Sequence, residues 1–482
     1  MRTFLTVVAA LAAAAAAQST RDILRTDASG VFIQHDTNPA AATPVFDLDT
    51  RAGVLWTFND PASIPQSVAL GNAGQDSWVA HSLNDERLSK FTTTGTGTPD
   101  FVYSMLAENP GVIGVDAAPT GSVAAVLSFT PGGTVNLRAF TDQSGPNPLW
   151  TYTFDPAYNN AGKRAVSVAA DGGRIAACAY DGTKTLVIYT DSTGTVLSST
   201  QINGFSSGLE LSADGSRILL TNGANARLLD AATMTEIYNL PVSGAGGYHR
   251  ISADGSAIAG GGFNIRAARE IAGTWQVVYS ANGNQDWFGG GVALSGDGQT
   301  LFVLSHNYGA GSLPNNHQVI DLNTGTVLAT SGYTGTGAWQ NAAVAAQSNA
   351  DGTLFACASW GDQGNTMPEV RIYDRDLNLV GSIDTPGSPF ELDMDPDGDF
   401  ILVGSKSVHA NTFGSGGNTY AYSNQSDCPA DINNDGTLDF FDVQLFLNLF
   451  AAQDPAADLN NDTLFDFFDI QIYLNLFSAG CP

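Results

Sequence analysis

Between residues 67 and 423 short apolar stretches recur in pairs, each pair joined by a tight turn that carries glycine. The clearest copies are Leu211–Leu220 (LSADGSRILL), Ile251–Ile258 (ISADGSAI) and Leu294–Val303 (LSGDGQTLFV). Asp-Gly between alternating apolar and polar positions is the pattern of a β-hairpin, because a glycine there accepts the positive φ that the turn needs. The turn glycines are Gly74, Gly121, Gly172, Gly215, Gly255, Gly298, Gly352 and Gly398, spaced 40 to 54 residues apart. Third and fourth strands follow in each copy, as in Thr185–Thr190 and Thr195–Ser198. Four strands per copy cannot bury both sheet faces alone, so the copies stack side by side.

The last copy stops after its third strand, near Thr419–Tyr422, while an unpaired strand, Gly53–Phe58, precedes the first. These two are predicted to pair and close a ring. Eight turns favour eight blades; seven is the alternative, because the first copy, Ser67–Gly74, lacks the Asp. The fold class is therefore all-β, a β-propeller over residues 18–423. It resembles the WD-repeat and YVTN-repeat propellers, a likeness that implies architecture and not activity. Cys178 and Cys357 fall at matching second-strand positions of the third and seventh copies, too far apart for a disulfide, and read as small buried hydrophobes.

A composition of 43% hydrophobic and 14% charged residues with 53 glycines fits a turn-rich globular chain. The net charge of -28 repels nucleic acid and anionic membrane surfaces and leaves cations and neutral or basic partners. Met1-Arg2 followed by an apolar run to Ala17 reads as a signal peptide over residues 1–17, cleaved before Gln18. That run is shorter than the roughly 20 residues that span a bilayer, so the expected product is exported and not transmembrane: secreted or associated with the cell surface.

No nucleophile elbow, zinc-binding helix motif, phosphate loop or C-x-x-C is present. His35, His81, His249, His306, His317 and His409 are scattered and read as polar loop residues. His249, Arg250, Asp286 and Trp287 lie in or beside connections that converge on a channel mouth if the ring forms. The Asp residues of the turns, Asp171, Asp214, Asp254, Asp297, Asp351 and Asp397, read as turn-formers through Asx hydrogen bonds.

Residues 424–427 read as a linker to a different kind of module at 428–482. Asp431–Asp442 (DINNDGTLDFFD) returns 27 residues later as Asp458–Asp469 (DLNNDTLFDFFD). Oxygen side chains fall at positions one, three, five, nine and twelve of both loops: Asp431, Asn433, Asp435, Asp439, Asp442 and Asp458, Asn460, Asp462, Asp466, Asp469. The carbonyls of Thr437 and Leu464 occupy position seven. A hard cation with six to eight oxygen ligands fits this spacing, so two Ca²⁺ sites are expected. The second is expected to be weaker, because Thr463 replaces Gly436 at the sharp turn. Each loop runs into a short apolar helix. Nine aspartates and no Lys, Arg or His lie between Cys428 and Cys481, so two calcium ions offset four charges. A Cys428–Cys481 clasp closing the module would contribute about 4 kcal/mol.

With Asp442 and Asp469 at the twelfth positions and no helix entering the first loop, the tail resembles a type I dockerin. Its Gly480-Cys481-Pro482 ending is similar to the Gly-Cys subgroup. The resemblance implies docking to a cohesin-like or other extracellular protein receptor through positions ten and eleven. Those are Phe440-Phe441 and Phe467-Phe468, where cohesin readers usually carry small hydroxyl residues. Core packing and a docking patch are both open to these phenylalanines. The propeller is then a binding module carried on a calcium-dependent anchor; the alternative is a secreted hydrolase or lyase with a polysaccharide ligand.

Overall fold

The computed structural model describes 53–424 except 107, 109–111, 131–132, 223–224, 243–247, 263, 283–286, 308–314, 337–342, 363–364 and 410–415. It further describes the backbone of 21–27 and 30–36, and, in the tail, 430–432, 438–454, 457, 459 and 464–479. The leader at 1–17, Cys428, Cys481, Asp286 and the loop ligands Asn433, Asp435, Thr437, Asp458, Asn460 and Asp462 lie outside the described residues. The chain divides into two units, Gly53–Asn424 and the segments that flank it.

Gly53–Asn424 is an eight-bladed β-propeller, each blade a four-stranded antiparallel sheet. Blades 1 to 7 run from Ile64 to Ser104, Val112 to Thr153, Val166 to Asn203, Ser206 to Pro241, Tyr248 to Asn282, Trp287 to Tyr333 and Ala343 to Ile383. Blade 8 combines three strands between Pro389 and Ser423 with the N-terminal strand Gly53–Asp60 as its outermost member. That strand pairs antiparallel with Gly417–Ser423, Thr57 opposite Tyr420, and so closes the ring as expected.

The turn between the first two strands repeats one local solution. In blade 4 the Asp214 carboxylate accepts the Ser216 N–H at 2.9 Å and the Ser212 hydroxyl at 2.7 Å, while Ser212 Oγ accepts the Arg217 N–H. Blades 5 and 6 do the same through Ser252/Asp254 and Ser295/Asp297. The following glycine adopts positive φ, 73° at Gly255, where a Cβ would also lie 2.6 Å from Cδ of Arg217. Gly121 of blade 2 is the exception and is not among the positive-φ glycines.

Small and β-branched residues fill the space between neighbouring blades, with aromatic rings stacked where more volume is needed. Phe302 stacks on Phe355 between blades 6 and 7, at 5.0 Å between ring centres. Trp56 of the closing strand stacks on Phe91 of blade 1 and donates from Nε1 to Thr93 O at 2.8 Å. Cys178 and Cys357 are buried, free and part of this packing, and burial pushes both thiols up to about 12. Six outer strands carry a register shift against the third strand, which breaks the regular edge that another chain could pair with.

In the tail, helix α1 spans Phe440–Ala451 and helix α2 Phe467–Ala479. Their core pairs equivalent positions of the two repeats: Phe446 stacks on Tyr473 with ring centres 4.0 Å apart and planes 6° apart. Ala430 and Ala457, again 27 residues apart, are both buried beside that pair. No helix among the described residues is long and apolar enough to cross a membrane.

Candidate functional site

The propeller encloses a channel cavity of about 440 Å³ lined by the first strands of the blades. Those strands reach the lumen edge-on, so their unpaired N–H groups need acceptors. The residue five positions before each turn glycine supplies many of them. Asp116 accepts the Val168 N–H of blade 3 at 2.7 Å, and Ser167 the Leu211 N–H of blade 4 at 3.1 Å. Asp393 accepts the Leu70 N–H of blade 1 at 2.8 Å and Nε2 of Gln347 at 2.9 Å. Glu210 serves Ile251 of blade 5 in the same way. Polar side chains facing the channel thus fasten blade 2 to 3, 3 to 4, 4 to 5, 7 to 8 and 8 to 1.

Arg250, at the same register, donates to the carbonyls of His249 and Ala346 and lies 3.9 Å from Glu210. Burial raises Asp116 to about 6 and Glu210 and Asp393 to about 7, with repulsion from Asp116 adding to the last two. These carboxyls belong to the joints between blades, and nothing in their geometry forms a nucleophile with a base.

At the turn face a belt of backbone hydrogen bonds runs from blade to blade, for example Ala170 N to Ala213 O at 2.9 Å and Ala213 N to Ala253 O at 2.8 Å. It covers seven of the eight junctions among the described residues; at the eighth, Pro396 has no N–H to give. At the opposite end, where the first strands begin, Glu391 of blade 8 meets Lys163 Nζ at 2.8 Å and Arg164 Nη2 at 2.5 Å.

The histidines correct the sequence reading. Five of the six, His35, His81, His249, His306 and His317, stand in strands and not in loops; His81 and His317 are fully buried, and His249 lines the channel wall. His81 Nδ1 lies 3.0 Å from Asp60, which also holds Arg87 and Ser63. Burial beside Arg371 drives His317 down to about 3. His409 pairs with Asn365 at 3.1 Å. Of the proposed mouth cluster, His249 and Arg250 line the cavity; Trp287 begins the first strand of blade 6. The belt residues Asp116, Ser167, Glu210, Gln347 and Asp393 went unnoticed in sequence, although their constant offset from the turn glycine was there to read.

In the tail Asp439 caps α1 by accepting the Phe441 N–H at 2.7 Å, while Asp442 accepts the Asp439 N–H at 2.9 Å. The second repeat copies this with Asp466 to Phe468 N and Asp469 to Asp466 N; Asp469 also accepts Leu459 N. Asp442 and Asp469 are 0% exposed and Asp431 is also buried, in a segment without a single basic side chain. Burial pushes the Tyr473 phenol up to about 12, with the negative charges of Asp442 and Asp431 adding. Buried carboxylates of this kind are the oxygen donors a hard cation needs. Among the described residues no three such side chains converge on one point. Phe440, Phe441, Phe467 and Phe468 are 71, 63, 68 and 59% exposed, so they are not core.

The fold has solved neighbours. The C-terminal WD40 domain of Sif2 is 14% identical over 75% of this chain and 97% of that one, with a TM-score of 0.51. Sqt1 of Chaetomium thermophilum, bound to the N-terminus of the ribosomal protein L10, is 14% identical over 77% of this chain and 100% of that one, with a TM-score of 0.54. No family model matches the chain, and no curated protein matches it in sequence. The protein is an eight-bladed propeller with WD40 structural neighbours.

Proposed function

We propose that this is an exported docking protein: a propeller that binds a protein partner, carried on a dockerin-like tail that anchors it to an extracellular receptor when calcium is bound. The observation that carries the reading is the pairing, twice over, of a fully buried aspartate with two exposed phenylalanines at one helix start. The aspartates ask for a cation; the phenylalanines offer an apolar surface where burial on a partner is favourable. Calcium would be held by Asp431 and Asp442 in one repeat and Asp469 in the other, together with the remaining loop oxygens, and would fix each loop against its helix. For the propeller, binding fits better than catalysis, since its channel carboxyls are engaged between blades. Sqt1, a neighbour in fold, is bound to a protein terminus, and a charge of -28 favours neutral or basic partners.

The test uses the full chain immobilised in calcium or in chelator, beside a variant with all four phenylalanines changed to serine. A cell-surface protein should be retained with calcium by the wild type and lost in chelator or by the variant. Retention that ignores both changes sinks the proposal.

A further inference from the structure

The connection between blades 2 and 3 is long, and it enters the channel. Phe154, Tyr158 and Ala161 bury its root in the core, and Tyr180 N donates to Asn160 O at 2.7 Å. Farther on, the Leu209 N–H donates to Arg164 O at 2.8 Å, joining the segment to the first strand of blade 4. Its backbone runs hard against two neighbours. A Cβ on Gly114 of blade 2 would lie 1.9 Å from Lys163 O, and one on Gly162 would lie 2.0 Å from Ser207 O of blade 4.

The tip then makes its charged contacts with blade 8, three blades away from blade 3 around the ring. Such a contact has to span the lumen. Arg164 Nε and Nη2 lie 2.9 and 2.5 Å from Glu391 Oε1. Lys163 Nζ sits 2.8 Å from Glu391 Oε2 and donates to Phe390 O at 2.8 Å. The backbone of the segment is thus held by apolar burial and by bonds to blades 3 and 4, and the Lys163 and Arg164 side chains at its far end by charge. Glu210, on the wall of the same cavity, also attracts Arg164 and offers the tip a second carboxylate partner. An element with a fixed root and two sets of charged partners has the makings of a two-state part.

We propose that Asp155–Ala165 is a plug that gates the central channel at the end where the first strands begin, latched across the lumen by Glu391. With the latch closed, Lys163 and Arg164 bridge blades 3 and 8 over the cavity. With it open, the Arg164 side chain turns back toward Glu210 of blade 4, the backbone bond at Leu209 loosens, and the cavity gains an opening at that end.

Hydrogen exchange on the full chain tests this, comparing the wild type with Glu391→Gln. Removing one partner of a buried ion pair costs enough to speed local opening about ten-fold or more. The amides of Ala165 and Leu209 should quicken by at least that factor, while second-strand amides such as Leu219 and Phe302 keep their protection. Met394, which lines the cavity, should be oxidised by hydrogen peroxide faster in the variant. Unchanged exchange at Leu209, unchanged Met394 oxidation, or equal acceleration in every blade would each overturn the proposal. If Glu391→Gln does not fold, Lys163→Met with Arg164→Met removes the same contacts and must give the same localised pattern; full protection there overturns it.

Discussion

Changing Asp393 to Asn should make the protein more stable at pH 8 and leave it nearly unchanged at pH 4. The carboxyl faces the channel between blades 8 and 1, where burial raises it from the ordinary 3.8 to about 7. Between those two values the folded chain binds a proton that the unfolded chain has lost, so stability falls as pH rises through this window. Three pH units at 1.36 kcal/mol each set an upper bound of about 4 kcal/mol. Because the side chain lines a cavity and is partly solvated, about half of that, roughly 2 kcal/mol, is the reasonable expectation. Asn keeps the acceptor for Leu70 N–H, and the Gln347 amide can turn to meet its NH₂. Urea denaturation of both proteins at pH 4, 6 and 8 measures the difference. A variant that gains nothing between pH 4 and pH 8 refutes the view that this carboxyl is held protonated by its burial.

Three more outcomes follow from the packing. Trp56→Ala removes the ring that seals blade 8 against blade 1 and should cost about 4 kcal/mol in urea unfolding; a loss below 1 kcal/mol would mean that the closing strand does not hold the ring. Burial alone would raise Asp60, yet hydrogen bonds from His81 and Ser63 outweigh it and hold the carboxyl well below the usual range. Its stabilisation is therefore present at neutral pH and lost as pH falls through the carboxylate range, and Asp60→Ala should cost roughly 3–5 kcal/mol at pH 7 by leaving Arg87 and His81 buried without it; equal stability of variant and wild type at pH 7 contradicts this. Phe446→Ala should loosen the tail, seen as faster exchange in both α1 and α2, because Phe446 stacks on Tyr473 across the repeat axis; acceleration confined to α1 would deny that the repeats share one core.

Much of the propeller was legible because its turns are local. Asp-Gly recurs in six of the eight turns, in blades 4 to 6 as a Ser-x-Asp-Gly phrase that carries its own hydrogen bonds, and Gly53–Phe58 stood out as a strand without a partner. The channel was harder to read. Its belt occupies one register with Ala69, Asp116, Ser167, Glu210, Arg250, Ala293, Gln347 and Asp393, and a position that varies so widely has no motif. The latch joins Arg164 to Glu391 across 227 residues, a separation that no local pattern bridges. The histidines were misread because a strand of a buried sheet can hold an imidazole between blades, as at His317. In the tail the duplication pointed to the buried aspartates, whereas the exposure of the phenylalanines depended on how the two helices pair.

The proposed role of calcium in the tail is put to the test by calorimetric titration of calcium into the metal-stripped full chain. Two binding events of unequal affinity are expected, the weaker one lost in Asp469→Ala and the stronger in Asp442→Ala. Absence of any calcium-dependent heat, in a chain whose propeller is folded by circular dichroism, would contradict that role.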